Sequence, residues 1–197
     1  MFSNSVAKSK LRQEIKQRLS SMTVQERSRQ SSIVTEKVLS CPEYKRSGRV
    51  CLYLSMSDEV STLDILKDVF ASGKTCFVPR YTKTEMEMLS LFSYEDYLNL
   101  PLTKWNIKQP EATEGRVEAL ASGGLDLILV PGLAFSATGH RLGRGKGYYD
   151  TYLAKCFTSQ QKTPPVTIGL AYREQIVDHI PTDEHDKPID KVFWADL

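Results

Sequence analysis

Four short apolar runs constrain the fold of this chain more than any other feature of its sequence. They cover residues 50–54, 76–78, 127–130 and 166–170. Runs of this kind, rich in Val, Leu and Ile, are typical of strands that are covered on both faces, as in a parallel sheet. Pro79 and Pro131 directly follow two of the runs, and we expect them to end those strands.

Amphipathic segments with helical spacing precede and separate the apolar runs. The predicted helices cover residues 5–20, 23–39, 61–73 and about 146–156. Thr23 and Glu26 have the spacing of a capping box, and Ser61 is the expected cap of the third helix. Residues 86–92 are a further candidate strand, and residues 93–124 are predicted to be mostly loop. Strands that alternate with helices predict an α/β fold with a mostly parallel sheet and helices on both faces.

Composition excludes several classes of protein. The 197 residues suit a single domain, which we assign to residues 1–197. The net charge of +2 gives no support to nucleic-acid binding, and no apolar run is long enough to span a bilayer. The four cysteines are far apart and form no CxxC pair, which favours buried, reduced thiols of a cytoplasmic protein over a zinc site.

Residues 139–150 read GHRLGRGKGYYD and combine four glycines with three strong cations, two tyrosines and a carboxylate. Glycines let the backbone approach a ligand closely, and the N-terminus of a following helix binds anions. Arg144 and Lys146 are suited to neutralise phosphate charge, and Asp150 to hold Mg²⁺ against phosphate oxygens. The glycine spacing fits neither a Walker A motif nor GxGxxG, so the residues alone also allow a surface loop with solvated cations.

Other candidate residues are less specific. Lys8 and Arg12 lie four residues apart on one helix face, which forms either a solvated surface or a second phosphate clamp. Tyr81 and Trp105 fit core or rim positions better than a ligand platform. Asp186 belongs to an acidic segment that has the composition of an ordinary turn.

Several segments together resemble the animal form of the 5-formyltetrahydrofolate cyclo-ligase family, also called methenyltetrahydrofolate synthetases. The most specific is RLGRGKGYYD, which follows a strand that ends in Pro-Gly. The others are LSMSDE at 54–59, FVPRY at 77–81, WNI at 105–107, GGLDL at 123–127 and VPG at 130–132. The resemblance covers the chain from Lys8 to about Val192, and only residues 82–100 and 157–165 match weakly.

The resemblance implies a three-layer α/β/α fold around an open, Rossmann-like sheet. It also implies an enzyme that converts 5-formyltetrahydrofolate to 5,10-methenyltetrahydrofolate, with ATP as co-substrate and Mg²⁺ as cofactor, and releases ADP and phosphate. We therefore expect a cytoplasmic monomer whose partners are ATP and a mono- or polyglutamyl folate, without nucleic acid or membrane.

The resemblance also assigns roles to individual residues that occupy the motif positions of the family. Arg144 and Lys146 are expected to be catalytic, and Asp150 and Asp186 to bind Mg²⁺. The expected ATP contacts are Lys8, Arg12, Arg141, Leu142, Gly143, Arg144, Gly145, Lys146, Gly147, Tyr148 and Tyr149. The expected folate contacts are Leu54, Glu59, Trp105, Arg144, Gly145, Lys146, Gly147 and Tyr148.

The implied chemistry explains the composition of the glycine-rich segment. An amide carbonyl is a poor electrophile, so transfer of a phosphoryl group to the formyl oxygen must precede the attack by N10. An amide oxygen has no proton to remove, so the reaction needs no general base to activate it. This explains why the segment is rich in cations and glycines but lacks a Ser-His pair.

Two other classes of function are an ATP-dependent kinase or ligase for another small molecule, and a nucleotide- or RNA-binding module. Residues 54–59 and 105–107 favour folate as the substrate over another small molecule. The near-neutral net charge argues against a nucleotide- or RNA-binding module.

Overall fold

The four apolar runs form the centre of a six-stranded sheet in a computed structural model of the protein. The structure describes residues 4–104, 106–111, 115–159, 163–183 and 186–196. Its strands are β1 (Arg49–Cys51), β2 (Thr75–Tyr81), β3 (Met86–Leu91), β4 (Leu127–Val130), β5 (Ala134–Phe135), β6 (Arg141–Leu142), β7 (Val166–Ala171) and β8 (Lys191–Trp194). The order in the main sheet is β3-β2-β1-β4-β7-β8, and β5 and β6 form a separate hairpin. β3 runs antiparallel to β2, whereas the other described neighbours pair in parallel.

Helices cover both faces of the sheet. They are α1 (Asn4–Ser20), α2 (Val24–Ser40), α3 (Pro42–Arg46), α4 (Leu63–Ala71), α5 (Tyr94–Asn99) and α6 (Tyr148–Ser159). Successive strand side chains point to opposite faces. Val50 and Leu52 therefore pack with α1, α2 and α4, whereas Cys51 and Ile128 pack with α6. The predicted α/β/α class with a mostly parallel sheet is confirmed.

Pro79 does not end β2, contrary to the prediction from sequence. The Phe77 carbonyl accepts a hydrogen bond from Leu52 N at 3.0 Å, so Phe77 directs its backbone groups toward β1. Pro79 lies two residues later, so its backbone groups point to the same side as those of Phe77. However, β1 ends at Cys51, which pairs with Phe77, so no β1 residue lies opposite Pro79. The missing N–H of Pro79 therefore breaks no ladder bond, and β2 continues to Tyr81.

Several element boundaries also differ from the predictions. The first strand ends at Cys51 because the chain then turns out of the sheet, although Leu52 and Tyr53 remain buried. α4 follows Thr62 as its N-cap residue, one position after the predicted Ser61. α6 begins after Gly147, whose φ of +69° is incompatible with the predicted earlier start.

Some short elements were not predicted. α5 lies within residues predicted to be loop, and Ser93 caps it by accepting a hydrogen bond from Asp96 N at 3.0 Å. α3 and the β5–β6 hairpin were missed because each is too short to show a clear hydrophobic period, and β8 was missed because its side chains are mostly half-exposed. None of the described helices is both long and apolar enough to cross a membrane.

Candidate active site

Two loops diverge where the strand order reverses, between β1 and β4. The chain continues from β1 to β2 on one side and from β4 to β7 on the other. In open α/β sheets, ligands bind beyond the carboxyl ends of strands at such a point. The loop after β1 contains residues 52–62, and the connection after β4 contains the glycine-rich segment.

The glycine-rich segment connects β6 to the N-terminus of α6. Gly145 and Gly147 have φ values of +106° and +69°, a left-handed conformation that favours glycine. Residues 144–147 are exposed, and α6 begins at the next residue, Tyr148. The unpaired N–H groups of the first turn of α6 therefore lie beside the glycines, which is the geometry of an anion-binding helix N-terminus.

α1 brings a cation to this segment. Arg12 Nε donates a hydrogen bond to the Gly143 carbonyl at 2.9 Å. The Arg12 guanidinium also lies against Gly145, since a Cβ added there would be 3.7 Å from Arg12 Cζ. The structure therefore brings Arg12 to the predicted phosphate segment, from a position more than a hundred residues earlier in the chain.

Lys8, one turn earlier on α1, binds the acidic segment near the end of the chain. Its Nζ lies 2.6 Å from Asp183 Oδ2 and 2.6 Å from Asp186 Oδ2. Burial acts to raise the pKa of Asp186, but the hydrogen bond and charge of Lys8 outweigh it, and the pKa is lowered. Asp186 is therefore an anion whose first partner is Lys8.

Arg141 and Tyr149 pack inside the protein behind the exposed part of the segment. The Arg141 side chain is only 5% exposed, and its Nη2 donates to Asp150 Oδ1 at 2.6 Å. The guanidinium carbon lies 5.7 Å from the centre of the Tyr149 ring. Burial raises the pKa of Tyr149 well above its ordinary value, so this hydroxyl stays neutral.

Arg144 connects the glycine-rich segment to the loop after β1. Its Nη2 lies 2.8 Å from Asp58 Oδ1 and 3.3 Å from Glu59 Oε1. Glu59 is buried, and its Oε2 accepts a hydrogen bond from Met56 N at 3.0 Å. Burial raises the pKa of Glu59, although the Met56 hydrogen bond and the Arg144 charge act against it. A cation assigned to phosphate and a carboxylate assigned to folate are thus in contact.

Lys146 and Tyr148 occupy different surroundings at the end of the segment. Lys146 is exposed, and no hydrogen bond or ion pair joins it to the part of the chain that the structure describes. The Tyr148 hydroxyl donates to the Thr82 carbonyl at 3.2 Å, and its ring centre lies 5.3 Å from that of Tyr81. An available cation and an aromatic pair therefore flank the start of α6.

A cleft of about 640 Å³ opens beside Arg144. It is lined by residues 55–58 of the loop after β1 and by Asn106 and Ile107. A volume of this size is typical of small-molecule sites. Residues 55–58 and residues 106–107, which are far apart in the chain, therefore meet at one cleft together with Arg144 of the glycine-rich segment. Trp105 lies outside the described residues, and Leu54 is half-buried at the start of the loop.

A model of the 5-formyltetrahydrofolate cyclo-ligase family matches residues 4–195. The chain belongs to this family. A 5-formyltetrahydrofolate cyclo-ligase of Mus musculus is 50% identical over 192 residues, which cover 96% of this chain and 94% of the relative. A probable member from Caenorhabditis elegans is 39% identical over 189 residues, covering 95% and 92%. The solved structure of the Aquifex aeolicus 5,10-methenyltetrahydrofolate synthetase has 30% identity and a TM-score of 0.75, covering 94% of this chain and 88% of that one.

The cyclo-ligase fold gathers most of the predicted site residues at one edge of the sheet. Glu59, Arg12 and residues 143–148 lie near the point where the strand order reverses, whereas Lys8 of α1 pairs with Asp186 of the segment near the end of the chain. Three residues that the sequence did not single out line the same cleft: Lys16, Arg27 and Asp58. Lys16 follows Arg12 by four residues, so helical spacing could have found it. Arg27 comes from α2, and no sequence pattern links it to the cleft.

The two carboxylates predicted to bind Mg²⁺ each already contact a cation. Asp150 Oδ1 binds Arg141, and Asp186 Oδ2 binds Lys8. Within the described residues no group of three or more His, Cys, Asp or Glu side chains has the arrangement of a metal site. Each carboxylate by itself still suits Mg²⁺ as one ligand, since that ion takes one or two carboxylates and completes its shell with water and substrate phosphates.

Proposed function

We propose that this member of the cyclo-ligase family converts 5-formyltetrahydrofolate to 5,10-methenyltetrahydrofolate and consumes ATP in the reaction. The observation that carries the proposal is the contact of Arg144, which lines the cleft, with the buried Glu59 behind it. A group suited to phosphate and a group suited to the pterin then lie within reach of each other, as transfer between two bound substrates requires. The names of the mouse and Aquifex aeolicus relatives support the same substrate.

On the ATP side, the triphosphate lies against the exposed residues 144–147 and the first turn of α6. Support comes from the left-handed Gly145 and Gly147, which leave the backbone N–H groups accessible, and from Arg12 beside them. Lys146 is the cation that is available for the transferred phosphoryl group, because it has no described partner to give up. Lys8, one turn before Arg12 on α1, is a further proposed ATP contact, and its Nζ pairs with Asp186 in the structure.

On the folate side, Glu59 accepts hydrogen bonds from the N–H groups of the pterin edge. A buried carboxylate suits this role, because charge-assisted hydrogen bonds are strong where water is excluded. Arg144 leaves Glu59 when phosphate binds, and this frees the carboxylate oxygen for the pterin. Leu54, Tyr148 and Trp105 supply apolar contacts to the ring system.

The reaction then follows from the position of the two substrates. The formyl oxygen attacks the γ-phosphorus, ADP leaves, and the formyl carbon becomes an imidate-like phosphate ester. N10 attacks this carbon, loses its proton and expels inorganic phosphate, which closes the five-membered ring. Arg144 and Lys146 stabilise the negative charge on the phosphoryl oxygens, so that no side chain is needed to activate the attacking oxygen.

Mg²⁺ would neutralise phosphate charge when bound. Asp150 and Asp186 are the carboxylates that would hold it, and they also contact the cations Arg141 and Lys8, respectively. We further propose that the chain acts as one domain over residues 1–197, as a monomer and in the cytoplasm. The four free and buried cysteines support a reducing compartment.

The direct test mixes the protein with ATP, Mg²⁺ and 5-formyltetrahydrofolate and follows the near-ultraviolet absorbance of the methenyl product. We expect an absorbance increase that requires both ATP and the protein, with one ADP formed for each product. Formation of product without ATP, or ATP hydrolysis that is independent of the folate, would refute the proposal.

A further inference from the structure

Asp58 lies in the cleft, and the proposed reaction gives it no role. Among the described residues it is the one acidic side chain that lines the cleft. Its Oδ1 accepts a hydrogen bond from Arg144 Nη2 at 2.8 Å, and no other hydrogen bond or ion pair joins this carboxylate to the described chain. ATP and folates are anions, so a carboxylate at their site opposes their binding unless it acts through a cation. The cation in contact with Asp58 is Arg144.

The backbone on both sides of Asp58 is held by side chains from other elements. The Arg27 guanidinium of α2 donates to the Ser57 carbonyl at 2.6 Å. The buried Tyr172 hydroxyl donates to the Glu59 carbonyl at 2.7 Å. The loop after β1 therefore presents Asp58 from a fixed backbone, which a residue needs in order to position another side chain.

Arg144 uses a single nitrogen for two carboxylates. Its Nη2 lies 2.8 Å from Asp58 Oδ1 and 3.3 Å from Glu59 Oε1, whereas its Nε and Nη1 donate no hydrogen bond within the described residues. A guanidinium has five N–H donors in a rigid planar fork. Most of these donors are therefore available for phosphoryl oxygens while Nη2 stays on Asp58.

The two carboxylates that hold Arg144 differ in their surroundings. Glu59 is buried behind the cleft and also accepts a hydrogen bond from Met56 N, whereas Asp58 faces the cleft and is 33% exposed. When Glu59 turns from Arg144 to the pterin, Asp58 is the contact that remains. Without it, a long side chain that is 36% exposed would be free to sample many rotamers.

We propose that Asp58 is a positioning residue, which holds Arg144 in place for phosphoryl transfer after the pterin has taken Glu59. The inference rests on the proposed function. In the free protein both carboxylates hold the guanidinium. With both substrates bound, Asp58 alone holds it, and the free N–H groups face the phosphoryl oxygens. A cation that is held in advance needs no reorganisation when negative charge develops in the transition state.

The test is a double-mutant cycle on the rate of methenyl formation at saturating ATP and 5-formyltetrahydrofolate. Asp58→Asn keeps the shape of the side chain and removes its charge, and loss of a partly solvated ion pair should leave the protein folded. We expect kcat to fall about fivefold or more, and the KM for the folate to change by less than about twofold. In the Arg144→Ala protein, which lacks the guanidinium, Asp58→Asn should not lower kcat further. Asp64→Asn is the matched control with unchanged kcat, because Asp64 also pairs with a cation, Lys67 at 2.9 Å, but does not line the cleft.

Three results would overturn the positioning role of Asp58. The first is an equal loss of kcat from Asp58→Asn with and without the Arg144 side chain, which would show that Asp58 does not act through Arg144. The second is a higher kcat or a lower KM for ATP, which would show that Asp58 holds Arg144 back from the phosphates. The third is a kcat as unchanged as that of Asp64→Asn. Wild-type protein without turnover would refute the proposed function itself, whereas any of these three results in an active enzyme would refute the positioning role alone.

Discussion

Replacement of Arg144 by alanine tests whether this side chain acts in catalysis or only in structure. Its side chain is 36% exposed and that of Asp58 is 33% exposed, so their ion pair is partly solvated. Such pairs contribute about 1 kcal/mol or less to stability. For a chain of this length, that loss corresponds to a decrease in Tm of about 2–4 °C.

The expected effect on the reaction is much larger. Loss of one positioned cation from a phosphoryl-transfer site costs about 3 kcal/mol of transition-state stabilisation, or about a hundredfold in kcat. The variant also leaves Glu59 buried without its cation, which raises the pKa of that carboxyl further. Arg144→Ala should therefore remain folded and lose most of its turnover.

The assay combines thermal unfolding with the rate of methenyl formation at saturating ATP and folate. Arg18→Ala is the matched control, since Arg18 forms an ion pair with Glu14 at a similar exposure of 42% but does not line the cleft. We expect both variants to lose a few degrees in Tm, and only Arg144→Ala to lose activity. A decrease in kcat of less than about tenfold for Arg144→Ala would refute its catalytic role.

Three further predictions concern other parts of the site. Lys146→Ala should fold normally and lose most turnover; near-normal kcat in the purified variant would exclude its phosphoryl role. Burial raises the pKa of Glu59 above the ordinary 4.5, so acidification should protonate it early and raise the KM for folate. Glu59→Gln should remove this pH dependence, and its persistence would assign the effect to another group. Gly139→Ala places a Cβ 2.2 Å from the Ile189 carbonyl oxygen at a φ of +86°, which should cost about 2 kcal/mol or more in thermal unfolding experiments. Gly73→Ala, at a φ of +66° in open space, should cost about half as much, and equal losses would contradict the proposed clash.

The centre of the fold was predictable because strands that are buried on both faces have continuously apolar sequences. The four apolar runs became β1, β2, β4 and β7, each paired in parallel with another. β8 was not predictable in the same way, since it is an edge strand whose side chains are mostly half-exposed. The effect of Pro79 was not predictable from sequence, because it depends on where the neighbouring strand ends, and only the three-dimensional register shows this.

The candidate site was predictable in its parts but not in its connections. The composition of residues 139–150 indicated a phosphate site, and the family resemblance added Glu59 and Trp105. The contact of Arg144 with Glu59 joins residues 85 positions apart, and no local pattern records it. The same holds for Arg27, which reaches the cleft only because α2 packs beside the loop after β1.

The most direct test of the central claim follows the oxygen atom of the formyl group. If the γ-phosphoryl group is transferred to this oxygen, 5-formyltetrahydrofolate labelled there with ¹⁸O should give inorganic phosphate that contains one ¹⁸O per methenyl product. Mass spectrometry of the phosphate measures this ratio. Unlabelled phosphate, with the ¹⁸O found in water, would contradict phosphorylation of the formyl oxygen and with it the role assigned to Arg144 and Lys146.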